Sequence, residues 1–79
     1  MEFLAYEEKG VGFYIFVFEA GESVPKYDYL QDDWLMARAF CEEDFSVPVD
    51  AWKQLHREKV PHLCTHLSLS TDEVWYAKI

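Results

Sequence analysis

The sequence predicts one α+β domain, residues 1–79, with an antiparallel sheet of about four strands and two helices on one face, in the order ββααββ. Three observations predict this class. Segments near both ends are rich in aromatic and β-branched residues, as strands are. The middle of the chain repeats apolar residues every three or four positions, as a helix does. The 79 residues leave room for one core, and a composition of 51% apolar and 18% aromatic residues is typical of a folded chain.

An N-terminal hairpin comes first. Its predicted strands are residues 2–6 and 12–19, and residues 7–10 form the turn, where Gly10 is free to adopt a positive φ. Residues 13–18 are all aromatic or β-branched, so the second strand is the clearest in the chain.

A long helix is predicted from Asp28 to about residue 46. Asp28 and Gln31 fit a capping box, and Asp32 and Asp33 fall in the first turn, where the helix dipole favours anions. Spacings of three and four predict a single buried stripe. Its members are Leu30, Trp34, Ala37, Cys41 and Phe45.

A second, shorter helix is predicted after it. Ser46 can cap this helix, Pro48 suits its first turn, and Pro61 stops it. Residues 63–69 then alternate as a strand, residues 70–73 turn, and residues 74–79 form the last strand.

The net charge of −8 is concentrated in the first two-thirds of the chain. Residues 1–50 hold twelve acids against three basic residues, a net of −9, whereas residues 51–79 have a net of +1. A field of this sign repels phosphate backbones and lipid headgroups and attracts basic proteins. The charge therefore argues against direct nucleic-acid or membrane binding. It leaves two hypotheses, solubility alone or a basic protein partner.

The cellular compartment is predicted from the first ten residues, the longest apolar run and the cysteines. The first ten residues contain acids where a signal peptide has basic residues, and the longest apolar run, residues 11–18, is far shorter than a membrane span. Two cysteines without a CxxC pair are too few for a disulfide framework. We therefore expect a cytoplasmic protein with free thiols.

Residues 9–16, KGVGFYIF, partly match the RNP1 stretch of RNA recognition motifs, in which bases stack on aromatic residues of a strand. In that family the stretch lies on the third strand, and here its surroundings are acidic, so RNA binding is not predicted. Tyr14, Phe16 and Phe18 nevertheless share one face of this strand. That face either packs under the 20–29 loop, with Tyr27 and Tyr29, or forms an interface, including that of a homodimer.

His62, Cys64 and His66 would share one face of the predicted strand 63–69. Imidazole and thiol groups are zinc and copper ligands. Such side chains lie about 7 Å apart along a strand, however, and nothing in the sequence indicates a fourth ligand. The three residues are candidate metal ligands, but exposed histidines beside a half-buried cysteine are the favoured interpretation. No cofactor is predicted.

No catalytic arrangement is predicted either. The GxSxG, HExxH and P-loop patterns do not occur. A Cys–His pair is the only nucleophile arrangement that the chain offers. Cys41 falls in the apolar stripe of the long helix, where we expect a protonated and inert thiol.

The acids around the long helix support the hypothesis of a basic protein partner. Helix capping explains the acids at the start of the helix, but Glu42, Glu43 and Asp44 lie in its last turn, at the negative end of the helix dipole. We expect the acids to replace phosphate charges and to bind a basic, nucleic-acid-handling protein, with aromatic anchors beside them. The predicted partner-binding residues are Tyr27, Asp28, Tyr29, Asp32, Asp33, Trp34, Glu42, Glu43, Asp44 and Asp50, with Trp52 as a further anchor.

In size, charge and lack of a catalytic motif, the chain resembles small acidic inhibitors: immunity proteins, antitoxins and anti-CRISPR proteins. The resemblance implies a non-enzymatic, stoichiometric inhibitor that mimics nucleic acid, and it transfers no functional residue. Two alternatives stay open. One is a self-associating module that uses the aromatic sheet face or an open strand edge, and the other is a small metal-binding domain.

Overall fold

Aromatic and aliphatic residues make up most of the first two strands. In the computed structural model, which describes residues 1–79, β1 (Glu2–Glu8) and β2 (Gly12–Phe18) form an antiparallel hairpin. The turn is closed by the Val11 amide, which donates to the Glu8 carbonyl at 2.9 Å, and Gly10 has a φ of 82°. The predicted hairpin is confirmed.

A third strand, β3 (Tyr27–Gln31), stands where the long helix was predicted to begin. That prediction was wrong because Tyr27, Tyr29 and Gln31 alternate in a two-residue period and pair with β2. The helix α1 spans Trp34–Phe45, and its cap is Asp33 rather than Asp28. Ala37 and Cys41 of the predicted stripe are buried, whereas Leu30 belongs to β3.

The second half of the chain departs further from the prediction. Two 3₁₀ turns (Val49–Ala51 and Arg57–Lys59), with β4 (Lys53–His56) between them, replace the second helix, because β4 pairs with the last strand, β5 (Glu73–Lys78). Pro61 does not end a helix but begins one, the single turn α2 (Pro61–Cys64). The strand predicted at residues 63–69 is absent, and the predicted last strand is confirmed.

The sheet has five strands in the order β3-β2-β1-β5-β4, and all neighbours are antiparallel. The α+β class and the antiparallel sheet are confirmed, but the prediction of about four strands in the order ββααββ was not correct. Each added strand, β3 and β4, occupies one end of the sheet. No helix has the length and apolar character needed to cross a membrane.

The two helices lie on opposite faces of the sheet, and not on one face as predicted. Adjacent residues of β1, Phe3 and Leu4, point to opposite faces and are both fully buried, so each face needs a cover. On one face, Ala37 and Cys41 of α1 pack in a cluster with Phe3, as do Val47 and Trp52. On the other face, Leu63 of α2 packs with Leu4, Tyr6, Phe18, Val60 and Val74.

Candidate protein-binding surface

The outer side of α1 is partly apolar. Ala37 and Cys41 point into the sheet, so the residues on the opposite side of the helix face solvent. At the N-terminal half of that side, Leu35 is 67% exposed and Met36 46% exposed, with exposed Ala39 one turn further on. We call these three residues the α1 apolar strip. The strip was not predicted from the sequence, although Leu35 and Met36 lie outside the predicted buried stripe.

Carboxylates flank the α1 apolar strip at both ends. Asp32 and Asp33 precede α1, and Glu42, Glu43 and Asp44 occupy its last turn and a half. About ten residues of helix separate the two groups, which is about 15 Å along the axis. Asp28 on β3 and Asp50 in the 3₁₀ turn complete the predicted set, and all seven side chains are exposed.

These seven acids form no salt bridge within the chain. Only one of them makes a side-chain hydrogen bond: Asp33 accepts the Met36 amide proton at 2.9 Å and thereby caps the helix. The remaining six are free to meet positive charge from outside.

Glu42, Glu43 and Asp44 do not stabilise the helix that bears them. No basic residue lies in the last turn, so the three charges face the negative end of the helix dipole without compensation. Ser46 ends the helix in a left-handed conformation, with a φ of 58°. Asp44 also acts on the core: burial, together with the nearby Asp44 charge, raises the pKa of Cys41 to about 12.

Most of the predicted aromatic anchors are engaged inside the protein. Trp34 stacks on Trp75 with ring centres 4.6 Å apart and meets buried Trp52 edge-on at 5.1 Å. The Tyr29 ring lies 4.6 Å from that of Phe40. Tyr27, which is 42% exposed, is the predicted anchor with the most accessible ring.

The aromatic face of β2 is covered in a way that was not predicted. Phe18 is fully buried in the cluster around Leu63 of α2, while Tyr14 and Phe16 are half-buried. The Phe16 ring stacks on that of Tyr6 at 5.9 Å. Tyr27 and Tyr29 do not cover this face, because they pair with Val17 and Ile15 and so lie on the α1 side of the sheet.

His62, Cys64 and His66 do not share a strand face, because α2 and the turn after it replace the predicted strand. His62 Nε2 lies 3.2 Å from a carboxylate oxygen of Glu2, Cys64 is half-buried, and His66 is exposed. No group of three or more His, Cys, Asp or Glu side chains is placed to hold a metal ion. The geometrical premise of the metal-site hypothesis was therefore wrong.

A cavity of about 300 Å³ opens beside Cys64. Its lining residues are Arg57, Glu58, Pro61, Cys64, Thr65 and Leu67. Burial raises the pKa of Cys64, although the Arg57 charge opposes the shift, and the lining includes no histidine to act as a base. The thiol of Cys64 is thus favoured in its protonated form.

Comparison with protein-family models, curated proteins and solved structures finds no match for the chain. Its own surface is therefore the basis for a functional assignment. That surface includes the α1 apolar strip, which has free carboxylates at both ends.

Proposed function

We propose that the protein is a non-enzymatic, stoichiometric inhibitor that binds a basic, nucleic-acid-handling protein through the outer side of α1. The observation that supports this proposal most is the α1 apolar strip, bounded by Asp32 on one side and by Glu42, Glu43 and Asp44 on the other.

The arrangement matches the anatomy of a protein interface, in which a desolvated centre carries most of the binding energy and a polar rim surrounds it. Leu35 and Met36 supply apolar area that the free protein leaves in water. The rim acids have no internal partners, so binding breaks no ion pair within the chain.

The acids at the two ends of the α1 apolar strip form the rim, and their negative charge and carboxylate chemistry indicate the kind of partner. Arg and Lys side chains that hold phosphate groups bind carboxylates with the same donors. A protein that handles nucleic acid presents such side chains in a row, and the acids at the two ends of α1 meet that row. The inhibitor thus occupies the nucleic-acid-binding surface of the partner in place of the nucleic acid.

Capture from the lysate of the native host tests the proposal. The test variant is E42Q/E43Q/D44N, and the matched control is E7Q/E22Q/E73Q, which removes the same charge from exposed acids that form no salt bridge. We expect one basic protein to bind the wild type and the control at low salt, and to bind the test variant at least about tenfold more weakly.

The salt dependence of the same complex is the second measurement. Affinity should fall steeply between about 0.05 and 0.3 M NaCl, because screening weakens exposed charge pairs. Equal losses for the two triple variants, or an affinity indifferent to salt, would contradict the proposal.

A further inference from the structure

The strand β3 has an open edge. It lies at the end of the sheet and pairs with β2 alone. None of the backbone hydrogen bonds outside the helices and strands involves residues 27–31, and no side chain bonds to their backbone groups. We call residues 27–31, on the side away from β2, the β3 edge.

The pairing register indicates which backbone groups point outward. The Val17 carbonyl accepts the Lys26 amide proton at 2.7 Å, so Val17 directs its backbone groups toward β3. Because these directions alternate along an antiparallel strand, Ile15 and Phe13 do the same, and their partners in register are Tyr29 and Gln31. The N–H and C=O groups of the intervening residues, Asp28 and Leu30, therefore face the open side.

Apolar side chains border the β3 edge on both faces of the sheet. Tyr27 is exposed on the α1 face, and Leu30 is 48% exposed on the opposite face, where it pairs with Tyr14. Asp28 is exposed between them, and Asp32 follows the strand directly. An added strand would thus find main-chain partners in the plane of the sheet, apolar contacts on both faces and negative charge at both ends.

We propose that the β3 edge receives an extended basic segment of the partner as a sixth, antiparallel or parallel strand of the sheet. This inference rests on the proposed function and specifies how the partner binds beside α1. In strand addition the main chain supplies affinity and alternate side chains supply specificity. The segment that fits alternates Lys or Arg with apolar residues, since its basic side chains then share the face of Asp28 and its apolar side chains share the face of Tyr27 and Tyr29.

Charge favours such a segment over a second copy of this chain. Each copy has a net charge of −8, and pairing of two β3 edges would bring Asp28 and Asp32 of both copies together. Like charges that face one another across strands are destabilising. The edge of β4, in contrast, is bordered by Lys53, Arg57 and Lys59 and has the wrong sign for a basic segment.

The test uses the full ¹⁵N-labelled chain and two synthetic peptides with blocked ends, eight residues of alternating Lys and Val, and eight of alternating Glu and Val. In NMR titrations the Lys/Val peptide should shift the amide signals of Asp28 and Leu30 and slow their hydrogen exchange. The Tyr29 amide, which already faces β2, should change less. The Glu/Val peptide should leave all three unchanged.

Two variants of Asp28 distinguish the contribution of its backbone N–H to peptide binding from that of its charge. D28N removes the carboxylate only, whereas D28P also removes the outward N–H, a change that an edge strand accommodates. We expect the Lys/Val peptide to bind D28P about fivefold more weakly than D28N, the effect of one lost hydrogen bond.

The matched control is Q54P at the other edge of the sheet. Arg57 N–H donates to the Asp72 carbonyl at 2.8 Å, so by the same alternation Leu55 and Lys53 face β5 and the Gln54 N–H points outward. Q54P should bind the Lys/Val peptide as the wild type does. Circular dichroism of each proline variant confirms that the fold is retained.

Four outcomes would overturn the inference. Peptide shifts confined to Leu35, Glu42 and Glu43 would leave α1 as the binding surface and exclude the β3 edge, with the proposed function intact. Equal weakening by D28P and Q54P, or no binding of the Lys/Val peptide, would also exclude it, and the proposed function would then stand or fall with the capture experiment. A fourth is a doubling of the rotational correlation time without peptide together with slow hydrogen exchange of the Asp28 and Leu30 amides, since the two would show that a second copy fills the edge.

Discussion

At the scale of single residues, Glu2 is the one charged side chain in the core, with an exposed fraction of 7%. Its carboxylate accepts a hydrogen bond from the Tyr76 hydroxyl at 2.7 Å and lies 3.2 Å from His62 Nε2. Burial by itself raises the pKa of Glu2, but these contacts outweigh it and hold the pKa below its ordinary value. Burial and the bond to Glu2 together raise the pKa of Tyr76 to about 12.

The substitution E2Q should lower the free energy of unfolding at pH 7 by about 1 kcal/mol, because a charge-assisted hydrogen bond becomes a neutral one. Since the pKa of Glu2 is lower in the folded state, its contribution is present above the unfolded value of about 4.3 and is lost as the pH falls through the folded pKa. Urea unfolding of wild type and variant between neutral and acidic pH measures both effects.

E7Q is the control, because Glu7 is exposed on the same strand. A variant E2Q that is as stable as E7Q at pH 7, or that keeps the full acid sensitivity of the wild type, would contradict the role assigned to Glu2.

At the scale of elements, the start of α1 depends on Asp33. D33A should destabilise the protein by about 1 kcal/mol, because the Met36 amide loses its acceptor. D32A removes the same charge from a neighbouring exposed residue that caps nothing, so its effect on unfolding should be much smaller. If the two variants unfold at the same urea concentration, the cap is not where the structure places it.

The short helix α2 contributes one large residue to the core. Leu63 is fully buried, and L63A should cost about 3 kcal/mol through lost contacts and the cavity left behind. L35A makes the same chemical change on the exposed α1 apolar strip and should alter stability by less than about 0.5 kcal/mol. It should nevertheless weaken capture of the partner, which distinguishes a binding residue from a packing residue.

The elements that could be predicted from the sequence are those specified by local pattern. The β1–β2 hairpin combines strand residues with a glycine turn, and the α1 stripe shows in the spacing of Ala37 and Cys41. β4 could not be predicted, because Lys53–His56 is a strand only through its pairing with β5, about twenty residues later. Pairing with β2 likewise made residues 27–31 a strand instead of the start of a helix.

Only some residues of the candidate surface could likewise be predicted from the sequence. Acids are almost always exposed, so the predicted carboxylates could be read from the sequence and all seven are at the surface. The aromatic anchors could not, because a ring is equally suited to core or interface, and Trp34, Tyr29 and Trp52 went into packing.

At the scale of the whole molecule, charge is unbalanced. The fifteen acids face seven Lys and Arg residues, and only two Lys or Arg side chains form salt bridges with carboxylates, Lys26 with Glu19 and Arg57 with Asp72. Repulsion among the free acids therefore exceeds attraction, and it opposes the folded state of the free protein. The acids that are proposed to bind the partner thus lower the stability of the free protein.

Added salt should accordingly raise the melting temperature rather than lower it. Screening between low salt and about 0.3 M NaCl weakens the repulsion, and E42Q/E43Q/D44N should melt higher than the wild type at low salt and gain less from NaCl. Differential scanning calorimetry measures both. A melting temperature that falls with NaCl, or an unchanged gain in the variant, would show that the acids do not repel one another appreciably.

The strand order has a consequence for how the chain acquires its structure during synthesis. β5 is made last, yet it lies between β1 and β4. A nascent chain leaving the ribosome can close the β1–β2–β3 meander early, while β4 waits without a neighbour until residues 73–78 emerge. We therefore expect β4 and β5 to join the sheet together in one late step, after the acidic residues 1–50 have emerged.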